Sequence, residues 1–132
     1  MIVQRRGIFE LVLTAAGAAL ALPTEVRAQS MRVVETSPAA NATIDNRPTG
    51  FYVRFDRPVD HVRSTLIIER GREVLQTLHP RLNAAPEVLF AQAPALEPGD
   101  YTFAWVVAKL NGGDVERGKV AFSVAAGKRA KQ

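Results

Sequence analysis

Residues 96–124 read LEPGDYTFAWVVAKLNGGDVERGKVAFSV and contain the clearest strand pattern of the chain. In its first half, large apolar residues alternate with smaller or polar ones, in the order Tyr101, Phe103, Trp105 and Val107. A period of two residues is typical of a β-strand that has one face against a core. The Asn-Gly-Gly-Asp turn at residues 111–114 is followed by the same alternation through Phe122 and Val124. This pattern predicts two neighbouring strands joined by a polar loop.

Short apolar runs separated by Pro, Gly, Asn and Asp continue through the rest of the body. Further strands are predicted at residues 32–36, 51–55, 66–68, 74–78 and 88–90. A tight hairpin turn is expected at residues 70–73, which read Arg-Gly-Arg-Glu. Short strands with turn signals every 8–12 residues or so are typical of sandwiches. The predicted fold is therefore an all-β, immunoglobulin-like antiparallel β-sandwich of about seven strands with Greek-key connections.

The beginning of the chain has the pattern of a cleavable signal peptide, predicted at residues 1–28. Arg5 and Arg6 precede an apolar, alanine-rich run over residues 7–22, and Val-Arg-Ala at 26–28 fits a cleavage site. The run is shorter than the roughly 20 residues that a membrane-spanning helix needs. We expect a periplasmic protein, with the twin-arginine route as one option for export and an uncleaved anchor as the alternative.

The remaining chain is expected to form one domain at residues 29–125 and a basic, disordered tail at 126–132, which contains Lys128, Arg129 and Lys131. The sequence has no cysteine, which excludes disulfides, thiolate metal sites and a cysteine nucleophile. These three residues account for the whole net positive charge of the chain after residue 28, so the body is near neutral and offers no basic face for nucleic acid. No serine lies in a strained nucleophile turn, and neither enzymatic activity nor a small-molecule substrate is expected.

Several blocks of the sequence occur together in the order found in one known family. They are VVETSPAANATI at 33–44, FYVRFDRPV at 51–59, LEPGDYTFAW at 96–105 and GKVAFSV at 118–124. Together they resemble the CopC-type periplasmic copper-resistance domain. The resemblance implies an immunoglobulin-like fold and a role in periplasmic copper binding, delivery or resistance. It also implies a membrane copper transporter or another periplasmic protein as the partner.

The positions that bind copper in that family differ in this sequence. In the family, a histidine at the mature N-terminus and the Asp and His of the last loop bind Cu(II), which prefers nitrogen and oxygen donors in tetragonal geometry. The histidine position falls on Ser30, or on Gln29 if the alignment shifts by one residue, and neither side chain is a good copper ligand. The loop positions are Asn111 and Gly113, and Gly113 is not a ligand. The loop is longer than usual, which would bring Asp114 to the site. The remaining candidates for metal are therefore Asn111, Asp114 and the new N-terminus at Gln29.

The two histidines are not predicted to replace these ligands. A hairpin turning at residues 71–72 would place His61 opposite Leu82 and His79 opposite Ser64, on different faces of the ladder. His61 is interpreted as a surface loop residue and His79 as a strand-end residue. Two functions remain open: a copper protein with a degenerate copper site, and a metal-free interaction or adaptor module that docks on a membrane or periplasmic partner.

Overall fold

The structure, a computed structural model, describes residues 30–126. Its eight strands, in chain order, are β1 (Val33–Ser37), β2 (Ala42–Asp45), β3 (Thr49–Phe55), β4 (Val59–Arg70), β5 (Glu73–Leu78), β6 (Val88–Ala93), β7 (Gly99–Lys109) and β8 (Glu116–Ala125). The signal peptide predicted at 1–28 lies outside the described residues, as does the tail beyond residue 126. Residues 30–126 include no helix long and apolar enough to cross a membrane.

The strands form two sheets that face each other. One sheet has three strands in the order β1-β3-β6, and the other has five in the order β2-β8-β7-β4-β5. The chain crosses from the first sheet to the second three times, between β1 and β2, between β3 and β4, and between β6 and β7. Because β3 pairs with β6 while β4 pairs with β7, strands far apart in sequence are neighbours in both sheets. This non-sequential pairing is the Greek-key arrangement of a sandwich.

The all-β sandwich predicted from the sequence is confirmed, with three differences. The short strand β2 was not predicted, because turn residues precede it and it lacks alternating large apolar side chains. It runs parallel to β8, whereas the prediction was antiparallel throughout. Strand β4 begins at Val59, well before the predicted start at Leu66, because the bulge near its beginning hides the alternation.

Aromatic residues from both sheets meet in the core. Phe51 of β3 packs edge-on against Phe103 of β7 and Phe122 of β8, with ring centroids 5.0 and 5.4 Å apart. All three side chains are buried. Edge-to-face aromatic pairs add about 0.5–1.5 kcal/mol each beyond their buried area. These contacts therefore join the two sheets at their centre.

The segment that leads into β7 is fixed by Tyr101. Its hydroxyl donates a hydrogen bond to the carbonyl oxygen of Glu97, four residues earlier, at 2.5 Å. The guanidinium of Arg70 lies over the Tyr101 ring, 5.1 Å from its centroid. Gly99 adopts a φ of 150°, and a Cβ there would lie 2.5 Å from the Arg70 side chain. The Leu-Glu-Pro-Gly-Asp-Tyr motif thus forms a tyrosine corner.

The indole of Trp105 lies flat against Gly118, its direct partner on β8. A Cβ on Gly118 would lie 2.5 Å from Cζ2 and 2.6 Å from Cε2 of the indole, closer than real atoms approach. Trp105 itself is 5% exposed and cannot turn into solvent without losing its core contacts. The glycine that opens the GKVAFSV block is therefore required by the tryptophan on the neighbouring strand.

Replacing this glycine by alanine is expected to destabilise the fold by about 1–3 kcal/mol, since the added methyl group displaces the indole. The loss would be measured by thermal or denaturant unfolding. Lys119→Ala, at the adjacent exposed position, is the control and should stay within about 0.5 kcal/mol of the parent. A Trp105→Phe background should remove most of the effect of Gly118→Ala. An undiminished loss in that background would contradict the packing argument.

Candidate functional site

The N-terminal segment is fixed against the end of the β7–β8 hairpin. The backbone N–H of Met31 donates to both carboxylate oxygens of Glu116, at 3.2 and 3.3 Å. The ammonium of Lys109 lies 3.1 Å from Oε2 of the same carboxylate. The Met31 side chain is 8% exposed and belongs to the core. One carboxylate thus joins the start of the domain to both strands of the hairpin.

A second carboxylate holds the same segment from the other sheet. The backbone N–H of Arg32 donates to Oδ1 of Asp56 at 3.1 Å, and the Asp56 N–H donates to the Arg32 carbonyl at 3.0 Å. Arg57 donates to both Asp56 oxygens through Nε and Nη2, at 3.1 and 3.3 Å. The hydrogen bond from Arg57, followed by the one from the Arg32 backbone, holds the pKa of Asp56 below its usual value.

A cleft of about 600 Å³ opens between these anchors. It is lined by Met31, Arg57, Pro58, Lys109, Leu110, Asn111 and Gly112. The charged residues in this lining are the two cations, Arg57 and Lys109; Asp56 and Glu116 bind them from outside it. Met31, Pro58 and Leu110 supply apolar walls. The N-terminal segment, the β3–β4 turn and the β7–β8 loop therefore share one cleft.

The β7–β8 loop requires glycine at two successive positions. Gly112 and Gly113 have φ values of 83° and 92°, which residues with a Cβ rarely adopt. The Gly112 N–H donates to the Lys109 carbonyl at 3.2 Å and closes the turn. This geometry places Asn111 in the cleft, while Asp114 is exposed and is not part of the cleft lining.

The bulged part of β4 supports the Lys109 end of β7. The Asp60 carboxylate accepts the backbone N–H groups of Val62 and Arg63, at 3.0 and 3.1 Å, and the Arg63 guanidinium at 2.9 Å. Arg63 Nη2 also donates to the Lys109 carbonyl at 3.0 Å. The hydrogen bonds from the Arg63 side chain and backbone lower the pKa of Asp60.

Ser64 is a buried polar residue at the same bulge. Its hydroxyl donates to the Asp60 carbonyl at 2.6 Å and accepts the Ala108 N–H at 2.8 Å. It thereby replaces the strand-to-strand hydrogen bonds that the bulge interrupts, in line with the rule that buried polar groups are paired.

The predicted register of the histidines is wrong. Arg70 pairs with Glu73 as expected, but a bulge after Ile68 shifts the register, so that Leu66 pairs with Leu78. Strand β5 ends at Leu78, and the predicted pairs of His61 with Leu82 and of His79 with Ser64 do not form.

The prediction that His61 is a surface loop residue is wrong, because His61 lies half-buried in β4. Its Nε2 is 2.7 Å from the Val88 carbonyl and 3.1 Å from that of Ala85. Since carbonyl oxygens only accept hydrogen bonds, this nitrogen carries the proton. The two hydrogen bonds connect β4 with the first residue of β6 and with the loop before it. His79 is exposed directly after β5, as predicted. The two histidines therefore differ: His61 makes hydrogen bonds between strands, and His79 lies exposed at a strand end.

The residues at the cleft do not fit a tight Cu(II) site. Cu(II) is bound best by imidazole, amine and carboxylate donors, whereas the cleft presents a guanidinium and an ammonium. Ser30 is exposed beside Met31, and Gly113 has no side chain to offer. Within residues 30–126, no three His, Cys, Asp or Glu side chains are grouped closely enough to hold a metal ion. Of the predicted metal residues within 30–126, Asn111 lines the cleft and Asp114 does not; Gln29 lies outside the described residues.

A family model now identifies the scaffold. The model described as the CopC domain matches residues 33–125. This chain belongs to the CopC domain family. The matched region runs from the first residue of β1 to the last residue of β8, so the family resemblance extends over the whole sandwich and is not confined to the closing hairpin.

Solved structures support the fold. The chain is similar to the crystal structure of CopC from Methylosinus trichosporium OB3b, with a TM-score of 0.67 and 23% identity over 77% of this chain and 100% of that one. It is also similar to an engineered protein, with a TM-score of 0.59 and 21% identity over 73% of this chain and 20% of that one. No curated protein matches this sequence.

The sequence interpretation missed the charged residues that define the cleft. Lys109 is the last residue of β7 and Glu116 is the first residue of β8, so they flank the β7–β8 loop. A pair of opposite charges on the two sides of a hairpin loop is the sequence signal that could have identified them. The position of Arg57 depends on how the β3–β4 turn folds back beside the N-terminal segment. That contact joins residues distant in the sequence, so no local pattern reveals it.

The hydrogen bonds that the Asp60 carboxylate accepts predict how the stability of the fold changes at low pH. A carboxyl whose pKa is lowered in the folded state stabilises the fold above its unfolded pKa of about 3.9, and this contribution is lost as the pH falls through the lower folded value. Asp60→Asn should therefore be less stable than the parent at pH 7, and the difference should shrink by pH 2. Denaturant unfolding at both pH values measures it. A difference that is equal at both pH values would contradict the assignment.

Proposed function

We propose that this chain is an exported CopC-family domain that acts in periplasmic copper handling or resistance as a docking module. In this proposal its own copper site is degenerate, and the domain works by contact with a membrane copper transporter or another periplasmic protein. Membership of a copper-resistance family that is generally periplasmic supports the setting. The signal-peptide pattern at residues 1–28 supports export.

The observation that carries the proposal is the pair of cations in the cleft. Lys109 and Arg57 stand where the N-terminal segment meets the β7–β8 loop, and each would repel a divalent cation. Leu110 in the cleft lining leaves its apolar side chain in solvent, as do Val62 and Val115 at the same end of the sandwich. Exposed apolar groups rimmed by charges are typical of protein contact surfaces. The same end of the sandwich is thus better suited to a protein than to a copper ion.

A weak copper site is the second candidate, and one observation favours it. Asn111 lines the cleft beside Met31, so an oxygen donor from the loop lies near the segment that follows the predicted new terminus at Gln29. Asn111, Asp114 and that terminus would give an oxygen-rich site. Such a site would bind Cu(II) with low affinity, since it lacks imidazole.

A titration separates the two candidates. The mature protein with an authentic Gln29 terminus would be titrated with Cu(II) against a competing chelator, with Asp114→Ala as the variant and Asp100→Ala as an exposed control. The docking proposal expects no saturable Cu(II) binding that depends on Asp114. Saturable binding, even in the micromolar range, that is lost in Asp114→Ala and kept in Asp100→Ala would overturn it and support the weak copper site.

The docking surface itself can be tested by site-specific cross-linking. A photoreactive residue at Leu110, in the cleft, is expected to form cross-links to a co-expressed copper transporter or periplasmic partner. The matched control is Val74, an exposed apolar residue on the edge strand β5. Equal cross-linking from both positions would show that contact at the cleft is not specific and would contradict the proposal.

A further inference from the structure

We propose that the cleft binds a carboxylate group carried by a partly apolar peptide segment of the docking partner. This inference rests on the docking function proposed above and adds its recognition chemistry. The cleft is the one lined by Met31, Arg57, Pro58, Lys109, Leu110, Asn111 and Gly112.

The two cations keep hydrogen-bond donors for a ligand. A guanidinium has five N–H groups and an ammonium has three. In the described part of the chain, Arg57 donates through Nε and Nη2 to Asp56, and Lys109 has a single ion-pair contact, to Glu116. Both side chains are partly exposed, at 40% and 26%. Each can thus donate to a second carboxylate without giving up its present partner.

The carboxylates that already bind these cations are themselves shared with the backbone. Glu116 also accepts the Met31 N–H, and Asp56 also accepts the Arg32 N–H. These hydrogen bonds hold both carboxylates against the N-terminal segment, and neither residue lines the cleft. Arg63, which donates to the Lys109 carbonyl, adds a second guanidinium, and thus a third cation, close to the Lys109 backbone. The groups that face a ligand are therefore the cations.

The walls of the cleft select for an apolar neighbour of the carboxylate. Met31 and Pro58 line it beside Leu110, whose side chain is 62% exposed and would be covered by an occupant. A volume of about 600 Å³ lies within the range of about 300–1,000 Å³ that is usual for ligand sites and is enough for a few side chains. Charge and shape together favour an acidic residue flanked by apolar ones.

The experiment compares two peptides that differ only in charge. The ¹⁵N-labelled mature protein is titrated with acetyl-Leu-Asp-Leu-amide and with acetyl-Leu-Asn-Leu-amide, and amide shifts are followed by NMR. The Asp peptide is expected to shift the signals of Leu110, Asn111 and Gly112, and the Asn peptide to bind at least about fivefold more weakly. Lys109→Met and Arg57→Gln are each expected to lower the affinity for the Asp peptide by about fivefold. Lys119→Met, on the outer face of β8, is the control that should leave binding unchanged.

Other outcomes would overturn the inference. Equal shifts from both peptides, or unchanged binding in both cation variants, would show that the carboxylate is not recognised. Acetate alone giving the same shifts at the same concentration would indicate a simple anion site and no peptide preference. Using two variants on different elements, the β3–β4 turn and the end of β7, keeps the test valid if one of them unfolds.

Cross-linking from Leu110 separates this inference from the docking proposal. If the cross-links persist in both Lys109→Met and Arg57→Gln, docking stands and the carboxylate recognition is wrong. If the parent forms no cross-links, docking fails, while the peptide titration still reports on the cleft.

Discussion

The structure depends on the contacts of Phe51 with the opposite sheet. This single side chain of β3 meets Phe103 and Phe122, which belong to adjacent strands of the five-stranded sheet. Burial of aromatic rings supplies the largest share of apolar area in a core of this size. With no cysteine in the chain, packing has to hold the two sheets together. The strands on either side of this contact then fix where their loops emerge.

The cleft is a consequence of that packing. Strand β7 runs from the core to Lys109, and β8 returns from Glu116. The hairpin therefore has opposite charges on the two sides of its loop. The N-terminal segment binds there through the Met31 N–H, while Ser64 secures the bulged strand beside Ala108. The end of β7 therefore positions Lys109, and the β3–β4 turn positions Arg57 beside it. The loop at residues 110–115 completes the cleft, and loops of this kind carry much of the functional variation in proteins.

Local patterns predicted the elements that have strong periodicity. Alternating aromatic residues identified β7 and β8, and the Gly71 turn identified the β4–β5 hairpin. The sequence could not reveal β2, which has four residues and gains its place only by pairing with β8. The bulges in β4 changed the histidine register, since an added residue leaves no trace in composition. The contact of Met31 with Glu116 spans most of the domain and was equally invisible.

The chain keeps the family scaffold, but the described residues of the cleft present cations where a copper site needs imidazole, amine or carboxylate donors. Recording ¹H–¹⁵N correlation spectra of the mature protein with one equivalent of Cu(II) tests this contrast. Paramagnetic Cu(II) broadens the signals of amides near its site. The claim requires the signals of Met31, Lys109 and Asn111 to lose no more intensity than those of the distant β4–β5 hairpin. Selective loss of these three signals at one equivalent would contradict it.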